Sequence, residues 1–310
     1  MKSESISIPV SFGRRADAIP GSSGPEASVP TGKIHMQVAG PESSKAILFI
    51  HGWPDSHDTW SHQMEYFSKK YRVGAIDLPG VGGSDAPPER SGYHIDNILP
   101  LISAAIKALG AKETHLVAHD WGAIISWVFA SRPEYASQIA SYTAVSGPHP
   151  ALARENLFGK FKSLNPGKML EGVQQTAKSW YIYLFQLPYV PDFILNNFGR
   201  LVWPRALMQG GVPPEDPMLD ATNEDIGKIA VNPLNLYREM LQGKWIEVPS
   251  RIDTRVQVII PNHDLAITPE IYSNVTDVCP QAQLHYVDAN HWVQRSHPDL
   301  VNKYIEEFIQ

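Results

Sequence analysis

The feature that most limits how this chain can fold is a series of short apolar runs that alternate with helix-forming segments. Continuous runs of this kind predict strands that are buried on both faces of a sheet. The predicted strands are 4–10, 33–38, 46–50, 72–80, 114–120, 139–147, 255–261 and 282–289. Strands that alternate with helices predict an α/β fold, with a mostly parallel sheet and helices on both of its faces.

The segments between the strands support the same fold class. Residues 94–110 have the apolar spacing of a helix and end at Gly110, a residue type that commonly terminates helices. Further helices are predicted at 121–133 and 298–309. The Gly-, Ser- and Pro-rich stretch 21–30 predicts a surface loop.

One long stretch interrupts this alternation after the predicted strand 139–147. Residues 149–245 are rich in aromatic residues and proline, have helical character and contain no clear strand. A chain of 310 residues is long for one ordinary domain and short for two. We therefore predict a core formed by residues 1–148 and 246–310, with residues 149–245 inserted as a helical cap.

Composition and charge exclude several classes of protein. Hydrophobic residues make up 43% and charged residues 19%, which provides a core and argues against disorder. The formal net charge of −6 is spread without long runs, so no nucleic-acid partner is indicated. Cys279 is the one cysteine and is expected in the core, so no intrachain disulfide can form.

Targeting signals are also missing from the sequence pattern. No window approaches the roughly 18 apolar residues that a membrane span requires. Residues 1–10 lack the apolar region of a signal peptide. We expect a soluble, cytoplasmic protein that is a monomer or a homodimer.

The most informative stretch is Ala118-His119-Asp120-Trp121-Gly122, which lies between a predicted strand and a predicted helix. A sharp strand-to-helix turn at this position would hold one side chain above the end of the sheet. Such a turn needs small neighbours, and Ala118 and Gly122 fit that need. The position makes Asp120 a candidate nucleophile rather than a simple helix-capping residue.

Two further side chains follow predicted strands later in the chain. Asp264 comes after the strand 255–261, and His291 comes after the strand 282–289. In open α/β sheets the carboxyl ends of the strands are where ligands bind. The order of nucleophile, acid and histidine is the one found with this kind of turn, and the loop 146–150 contains no competing acid. We therefore predict a catalytic triad.

The sequence His51-Gly52-Trp53-Pro54 ends another predicted strand. A turn of this kind can direct a backbone N–H group at the nucleophile. The N–H groups of Trp53 and Trp121 are therefore predicted to form an oxyanion hole. His51 itself is expected to have a structural role.

Together, these motifs resemble the α/β-hydrolase superfamily over essentially the whole chain. The His-Asp-Trp-Gly turn is typical of the branch with an aspartate nucleophile, which contains epoxide hydrolases and haloalkane and haloacetate dehalogenases. The resemblance implies that Asp120 displaces a leaving group at saturated carbon and forms an alkyl ester. It also implies that His291, oriented by Asp264, activates the water that hydrolyses this ester.

Within that branch the sequence resembles the epoxide hydrolases, which supply two cap tyrosines to the alkoxide that leaves when the ring opens. The segment 179–188 resembles their first tyrosine motif, with Tyr181 at the matching position. Tyr183 is the alternative if the register shifts by two residues. The segment 235–238 resembles the second motif and places Tyr237 there.

The main alternative is a haloalkane or haloacetate dehalogenase with the same Asp-His-Asp triad. Such an enzyme cradles halide with N–H groups, and Trp121 with Trp53 or Trp180 could supply them. Haloacetate dehalogenases tend to carry a His-Trp pair near the position of Trp180-Tyr181 and an arginine next to the nucleophile, and this sequence has neither. A binding or sensing protein on the same fold is a third alternative.

We therefore predict an epoxide hydrolase that takes a small apolar epoxide and water. Trp180 and Trp292 are predicted to line its substrate pocket. No organic cofactor and no metal is implied, because the triad accounts for the Asp and His residues singled out above.

Overall fold

A computed structural model describes residues 2–13 and 30–310 of the chain. Eight strands form one sheet in the order β1-β2-β4-β3-β5-β6-β7-β8. The strands are β1 (Ser3–Ser11), β2 (Thr31–Ala39), β3 (Lys45–Ile50), β4 (Arg72–Ile76), β5 (Glu113–His119), β6 (Ser141–Val145), β7 (Val256–Pro261) and β8 (Gln283–Val287). The predicted loop at 21–30 lies outside the described residues except for Pro30.

Most of the sheet is parallel, as the alternation of strands and helices predicted. Strands β3 to β8 pair in parallel, whereas β2 pairs antiparallel with both β1 and β4. In the central strand β3, Leu48 and Ile50 belong to the apolar cluster on one face, and Ile47 and Phe49 belong to the cluster on the other. Burial on both faces explains why these strands read as continuous apolar runs.

Helices cover both faces of the sheet and fill the segment between β6 and β7. The α-helices are α1 (Ser61–Phe67), α2 (Ile95–Leu109), α3 (Trp121–Ser131), α4 (Pro133–Ala136), α5 (Pro150–Lys162), α6 (Pro166–Lys178), α7 (Trp180–Leu184), α8 (Val190–Gln209), α9 (Asn223–Ile226), α10 (Leu234–Gln242), α11 (Val275–Val278), α12 (Val293–Ser296) and α13 (Pro298–Ile309). Short 3-10 turns occur at His57–Trp60, Arg90–Tyr93, Pro217–Asp220 and Pro269–Tyr272, and a π-helical turn at Gly227–Val231.

Two apolar layers hold this arrangement together. Helices α2 and α3 pack on one face of the sheet, and α1, α12 and α13 pack on the other. Cys279 is fully buried in the first layer, as expected. Residues 150–242, all of which the structure describes, contain only helical regular elements, and we call this segment the helical insertion.

Most predicted element boundaries agree with the structure to within a few residues. Helix α2 is followed by Gly110 in the left-handed conformation with φ of 68°, which confirms the predicted end of that helix. The strand predicted at 72–80 is too long, because β4 ends at Ile76. The carboxylate of Asp77 then accepts hydrogen bonds from the N–H groups of His57 and Gly83, which turns the chain out of the sheet.

The structure also bears on membrane insertion. Within residues 2–13 and 30–310, none of the helices combines the length and the apolar character that crossing a bilayer would require.

Candidate active site

Asp120 lies in a sharp turn between β5 and α3. Its backbone has φ of 49° and ψ of −119°, a conformation that non-glycine residues rarely adopt and that surrounding contacts must enforce. The turn leaves no room for side chains beside it. A Cβ at Gly122 would lie 2.4 Å from the carbonyl oxygen of His51, and one at Gly52 would lie 2.5 Å from the Cβ of Asp120.

Backbone N–H groups meet the Asp120 carboxylate from two loops. The N–H of Trp53 donates to Oδ2 of Asp120 at 2.7 Å. The N–H of Trp121, the residue after Asp120, lowers the pKa of the same carboxylate. The structure thus places one predicted oxyanion-hole donor, the Trp53 N–H, on the carboxylate of the candidate nucleophile, and the other directly after it in the chain.

His51 fixes the turn that carries Trp53. Its Nδ1 lies 2.7 Å from the carbonyl oxygen of Gly52, and its Nε2 accepts a hydrogen bond from the N–H of Leu78 at 2.9 Å. Burial lowers the pKa of His51 to about 4, so the ring is neutral and donates through Nδ1. This arrangement matches a structural role.

His291 and Asp264 lie at the carboxyl ends of neighbouring strands and form a close pair. Nδ1 of His291 is 2.8 Å from Oδ2 of Asp264, and both side chains are buried. The other oxygen of Asp264 accepts N–H bonds from Ala266 at 2.7 Å and Ile267 at 3.1 Å. Nε2 of His291 faces Asp120, 3.9 Å from its Oδ1. The structure therefore brings the three predicted triad residues together.

Two residues that the sequence reasoning did not assign to the site hold the backbone of His291. Nε2 of His119 lies 3.0 Å from the His291 carbonyl oxygen, and the hydroxyl of Ser146 donates to the same oxygen at 2.9 Å. His119 directly precedes Asp120, so one chain segment positions both the candidate nucleophile and the candidate base. The adjacency was visible in the sequence, but it did not reveal this contact.

The charges of the triad shift the pKa values of two of its members. Burial alone lowers the pKa of His291, but the carboxylates of Asp264 and Asp120 raise it to about 9. Burial raises the pKa of Asp120, while positive charge on His291 and the N–H groups of Trp53 and Trp121 act in the opposite direction. The pair can therefore exist as a carboxylate beside an imidazolium.

Tyr181 and Tyr237 meet above Asp120, on the helical insertion. Their ring centroids are 5.9 Å apart. The Tyr237 ring also packs edge-on against Trp53 and Trp121, with centroid separations of 5.5 and 4.9 Å. Burial and the negative charge of Asp120 raise the pKa of Tyr181 above its usual range. Burial likewise raises the pKa of Tyr237, so both hydroxyls keep their protons at neutral pH.

A cavity of about 430 Å³ connects these residues. Asp120, Trp121, Tyr181 and Tyr237 line it, and the remaining lining side chains are mostly apolar. Tyr183 lines the same cavity but is 61% exposed, whereas Tyr181 is partly buried and its ring packs on Tyr237. The geometry thus favours Tyr181 over Tyr183 as the partner of Tyr237.

Two tryptophans predicted to line the substrate pocket lie elsewhere. The indole N–H of Trp292 donates to Oδ2 of Asp55 at 3.1 Å, which holds the ring behind His291 rather than along the cavity wall. Trp180 is 63% exposed on the surface of α7. Its neighbour Tyr181 faces the cavity, and adjacent residues on a helix point about 100° apart. Neither tryptophan is among the residues that line the cavity.

A larger cavity of about 690 Å³ contains no member of the triad. Among the described residues, His35, His57 and Asp77 form a group in its wall whose possible metal-ligating atoms lie within 4.8 Å of one another. Nδ1 of each histidine already lies 2.8 Å from an oxygen of Asp77. The group is therefore accounted for as a hydrogen-bonded cluster.

Comparison with known proteins points to one family. A family model described as the alpha/beta hydrolase fold matches residues 45–298. Epoxide hydrolase 2 of Caenorhabditis elegans is 28% identical over 288 residues, which cover 89% of this chain and 77% of that protein. Epoxide hydrolase 4 of Homo sapiens is 27% identical over 293 residues, which cover 90% of this chain and 76% of that protein.

A solved structure agrees with these sequence relatives. The crystal structure of Bacillus megaterium epoxide hydrolase in complex with an inhibitor matches with a TM-score of 0.74 and 27% identity, over 90% of this chain and 97% of that chain. The resemblance that the sequence motifs indicated is confirmed.

Proposed function

Because the chain belongs to the α/β-hydrolase family, we propose that its site performs the chemistry named by its relatives and opens an epoxide to a vicinal diol. One observation carries this proposal. Two protonated tyrosines line the same apolar cavity as a carboxylate that N–H groups hold in a strained turn. A carboxylate supplies the nucleophile, and the hydroxyls meet the oxygen that the ring opening releases.

The first proposed step forms an ester. Oδ1 of Asp120 attacks a ring carbon, a new C–O bond forms, and the bond between that carbon and the epoxide oxygen breaks. Oδ2 is the oxygen that the Trp53 N–H already holds at 2.7 Å, which leaves Oδ1 as the attacking atom. The cavity is mostly apolar, which suits a small apolar epoxide.

The tyrosines lower the barrier for this step. An alkoxide that develops in a dry pocket is strongly destabilised unless hydrogen-bond donors meet it. Tyr181 and Tyr237 are protonated, and their rings meet edge to face in the cavity that Asp120 also lines. One hydroxyl transfers its proton to the alkoxide while the other hydrogen-bonds it, and solvent later restores the lost proton.

The second proposed step hydrolyses the ester. His291 takes a proton from water through Nε2, and the water oxygen attacks Cγ of Asp120. The negative charge that develops on Oδ2 meets the N–H groups of Trp53 and Trp121. The bond between Cγ and Oδ1 then breaks, the imidazolium gives its proton to Oδ1, and the diol leaves with Oδ1. The carboxylic acid that remains on Asp120 loses the second water proton to solvent, which restores the carboxylate.

Ester formation itself prepares the histidine for this step. In the free enzyme the charges of Asp264 and Asp120 raise the pKa of His291 to about 9. Esterification removes the negative charge of Asp120, while that of Asp264 remains. The pKa of His291 therefore falls. The imidazole then loses its proton more readily and becomes the base that the water needs.

The helical insertion acts as a cap in this proposal, with bounds of 149–245 on a core of 1–148 and 246–310. Contacts across the junction hold it over the site. The indole N–H of Trp53 donates to the carbonyl oxygen of Ala230 at 2.9 Å. The side-chain amide of Gln175 donates to the carbonyl oxygen of Ala266 at 2.9 Å. The steps use only water and side chains of this chain.

The test is product analysis with the purified protein. Incubation with styrene oxide is expected to give phenylethanediol, and incubation with 1-chlorobutane is expected to release little chloride. Rapid chloride release without any diol would favour a dehalogenase that uses the same triad. No reaction with a series of epoxides or haloalkanes would favour a binding protein on this fold.

A further inference from the structure

Helix α8 is apolar on two opposite sides, and the described residues cover only one of them. The buried side packs closely, since a Cβ at Gly199 would lie 2.7 Å from the Ile226 side chain. The other side is exposed and carries a stripe of apolar residues spaced three and four apart, namely Val190, Phe193, Ile194, Phe198, Leu201 and Val202. We call this stripe the outer face of α8. An apolar stripe on a helix normally packs against another apolar surface.

The outer face belongs to a concentration of exposed apolar side chains. Of the 21 large apolar side chains that are exposed among the described residues, 17 lie between Phe158 and Met208. Single exposed apolar residues are normal on protein surfaces, but their concentration in one region marks a binding surface. Tyr189, directly before α8, is 84% exposed and has φ of 62°, a strained conformation for an aromatic residue.

This surface continues to the mouth of the catalytic cavity. Four exposed rings line the cavity and form what we call its rim, namely Phe158, Phe161, Tyr183 and Trp245. The side chain of Gln242 donates to that of Gln186 at 2.9 Å, which ties the segment before Trp245 to the segment between α7 and α8. The segment that leads into α8 is therefore linked to the segment that leads to the rim residue Trp245.

The charge of the same region is opposite to that of the whole chain. Residues 150–210 contain seven Lys and Arg residues and three Asp and Glu residues, a formal charge of +4, in a chain with a net charge of −6. On α8 the one acid, Asp192, pairs with Arg238. Arg200 and Arg205 are exposed, and neither forms an ion pair with a described residue. The apolar stripe thus carries two exposed arginines without an ion-pair partner among the described residues.

We propose that the outer face of α8 and the rim bind the surface of an anionic phospholipid bilayer. Apolar side chains would enter the boundary between headgroups and acyl chains, and the arginines would meet lipid phosphates. A second copy of this chain fits less well, because a two-fold contact would bring the arginines of both copies together. The cavity would then open towards the layer in which apolar molecules concentrate.

Vesicle flotation of the full chain tests this proposal. The wild type is expected to float with vesicles of phosphatidylglycerol and phosphatidylcholine in equal amounts, and much less with phosphatidylcholine alone. The double variant Phe193→Gln/Leu201→Gln should lose at least about tenfold in partition coefficient, because two apolar side chains no longer enter the lipid. The control Tyr286→Gln, which changes a 51% exposed ring on β8, should bind like the wild type.

A second variant tests the charges. Arg200→Gln/Arg205→Gln should bind anionic vesicles about fivefold more weakly for each arginine removed, and added salt should weaken the wild type in the same way. Far-UV circular dichroism and turnover of styrene oxide would show that each variant is folded.

Three outcomes would overturn the proposal. The first is no flotation of the wild type with anionic vesicles, and the second is equal flotation of the wild type and the Phe193→Gln/Leu201→Gln variant. The third is a lipid-free dimer in sedimentation that this variant dissociates, without any vesicle binding. Flotation needs no epoxide turnover, so its failure is distinguishable from a failure of the proposed catalytic function.

Discussion

The candidate catalytic side chains of the core are positioned by hydrogen bonds, whereas those of the helical insertion are positioned by packing against aromatic rings. Asp264 accepts two backbone N–H bonds and faces His291 at 2.8 Å, and Asp120 accepts the N–H of Trp53. The Tyr237 ring instead packs on several neighbouring rings, one of them Tyr181. Groups that must keep one geometry through two steps are positioned by hydrogen bonds, while ring packing leaves the tyrosine hydroxyls available to a substrate.

This difference predicts that the core and the insertion have separate roles in catalysis, which mutations can test. Changes in the core should affect the enzyme with any electrophile, because they remove the nucleophile or the base. Changes in the insertion should affect only substrates whose leaving group needs a proton.

The largest effect is expected for Asp120→Ala, which removes the attacking oxygen. Turnover of styrene oxide should fall by at least about 10⁴-fold, and any reaction with a haloalkane should fall equally. Asp288→Ala, at an exposed position, is the control and should retain full activity. Diol formation by Asp120→Ala at more than a small fraction of the wild-type rate would remove Asp120 from the mechanism.

The next largest effect is expected for the tyrosine pair. Losing one donor to a developing oxyanion typically costs about 10²–10³ in rate, but two tyrosines partly replace each other. Tyr181→Phe and Tyr237→Phe should each slow single-turnover alkylation of Asp120 by less than that, and the double variant by more. Alkylation by a haloalkane should change little, because halide leaves without a proton.

The matched control for the pair is Tyr183→Phe, which changes an exposed ring at the rim of the same cavity. It should alkylate at the wild-type rate. A double variant that opens epoxides as fast as the wild type would refute the tyrosine assignment. A large loss with Tyr183→Phe alone would show that this residue, and not Tyr181, is the first cap tyrosine.

A smaller effect, confined to one step, is expected for Asp264→Asn. The amide cannot stabilise a positively charged imidazole, so ester hydrolysis should slow by about 10²-fold or more while alkylation changes much less. Pre-steady-state kinetics should therefore show the ester accumulating. Unchanged steady-state turnover in this variant would exclude Asp264 from the triad.

The smallest expected effect is a shift in the pH dependence of ester hydrolysis. The pKa of His291 is raised to about 9 in the free enzyme, so its NMR titration should have a midpoint near that value. The base must be neutral, so ester hydrolysis should increase as pH rises through the pKa of His291 in the ester. Because the ester carries no charge on Asp120, that midpoint should lie below the free-enzyme value. A midpoint at or above it would contradict the proposed role of ester formation.

The order of residues along the chain explains how much of the site the sequence could predict. Carboxyl ends of parallel strands meet at one edge of a sheet, so the order of Asp120, Asp264 and His291 after successive strands was enough to predict their meeting. His119 and the His291 carbonyl group that it contacts are 172 residues apart in the sequence, and no local pattern indicates their contact. It becomes visible only in the folded chain.

Side-chain direction was harder to predict in loops and short helices. Trp292 follows His291 directly, yet its indole turns towards Asp55, a buried carboxylate that no local pattern links to it. Trp180 and Tyr181 are adjacent, and only the orientation of α7 determines which ring faces the cavity. These choices depend on tertiary packing, which residue spacing does not encode.

A covalent ester on Asp120 distinguishes this mechanism from direct hydrolysis, and intact-mass analysis of His291→Gln detects it. This variant keeps the nucleophile and loses the base, so with excess styrene oxide it should gain the mass of one substrate molecule. Peptide mapping should locate the added mass on Asp120, and Asp120→Ala/His291→Gln should gain none. Absence of any adduct on His291→Gln at all times, while the wild type forms diol, would contradict the account.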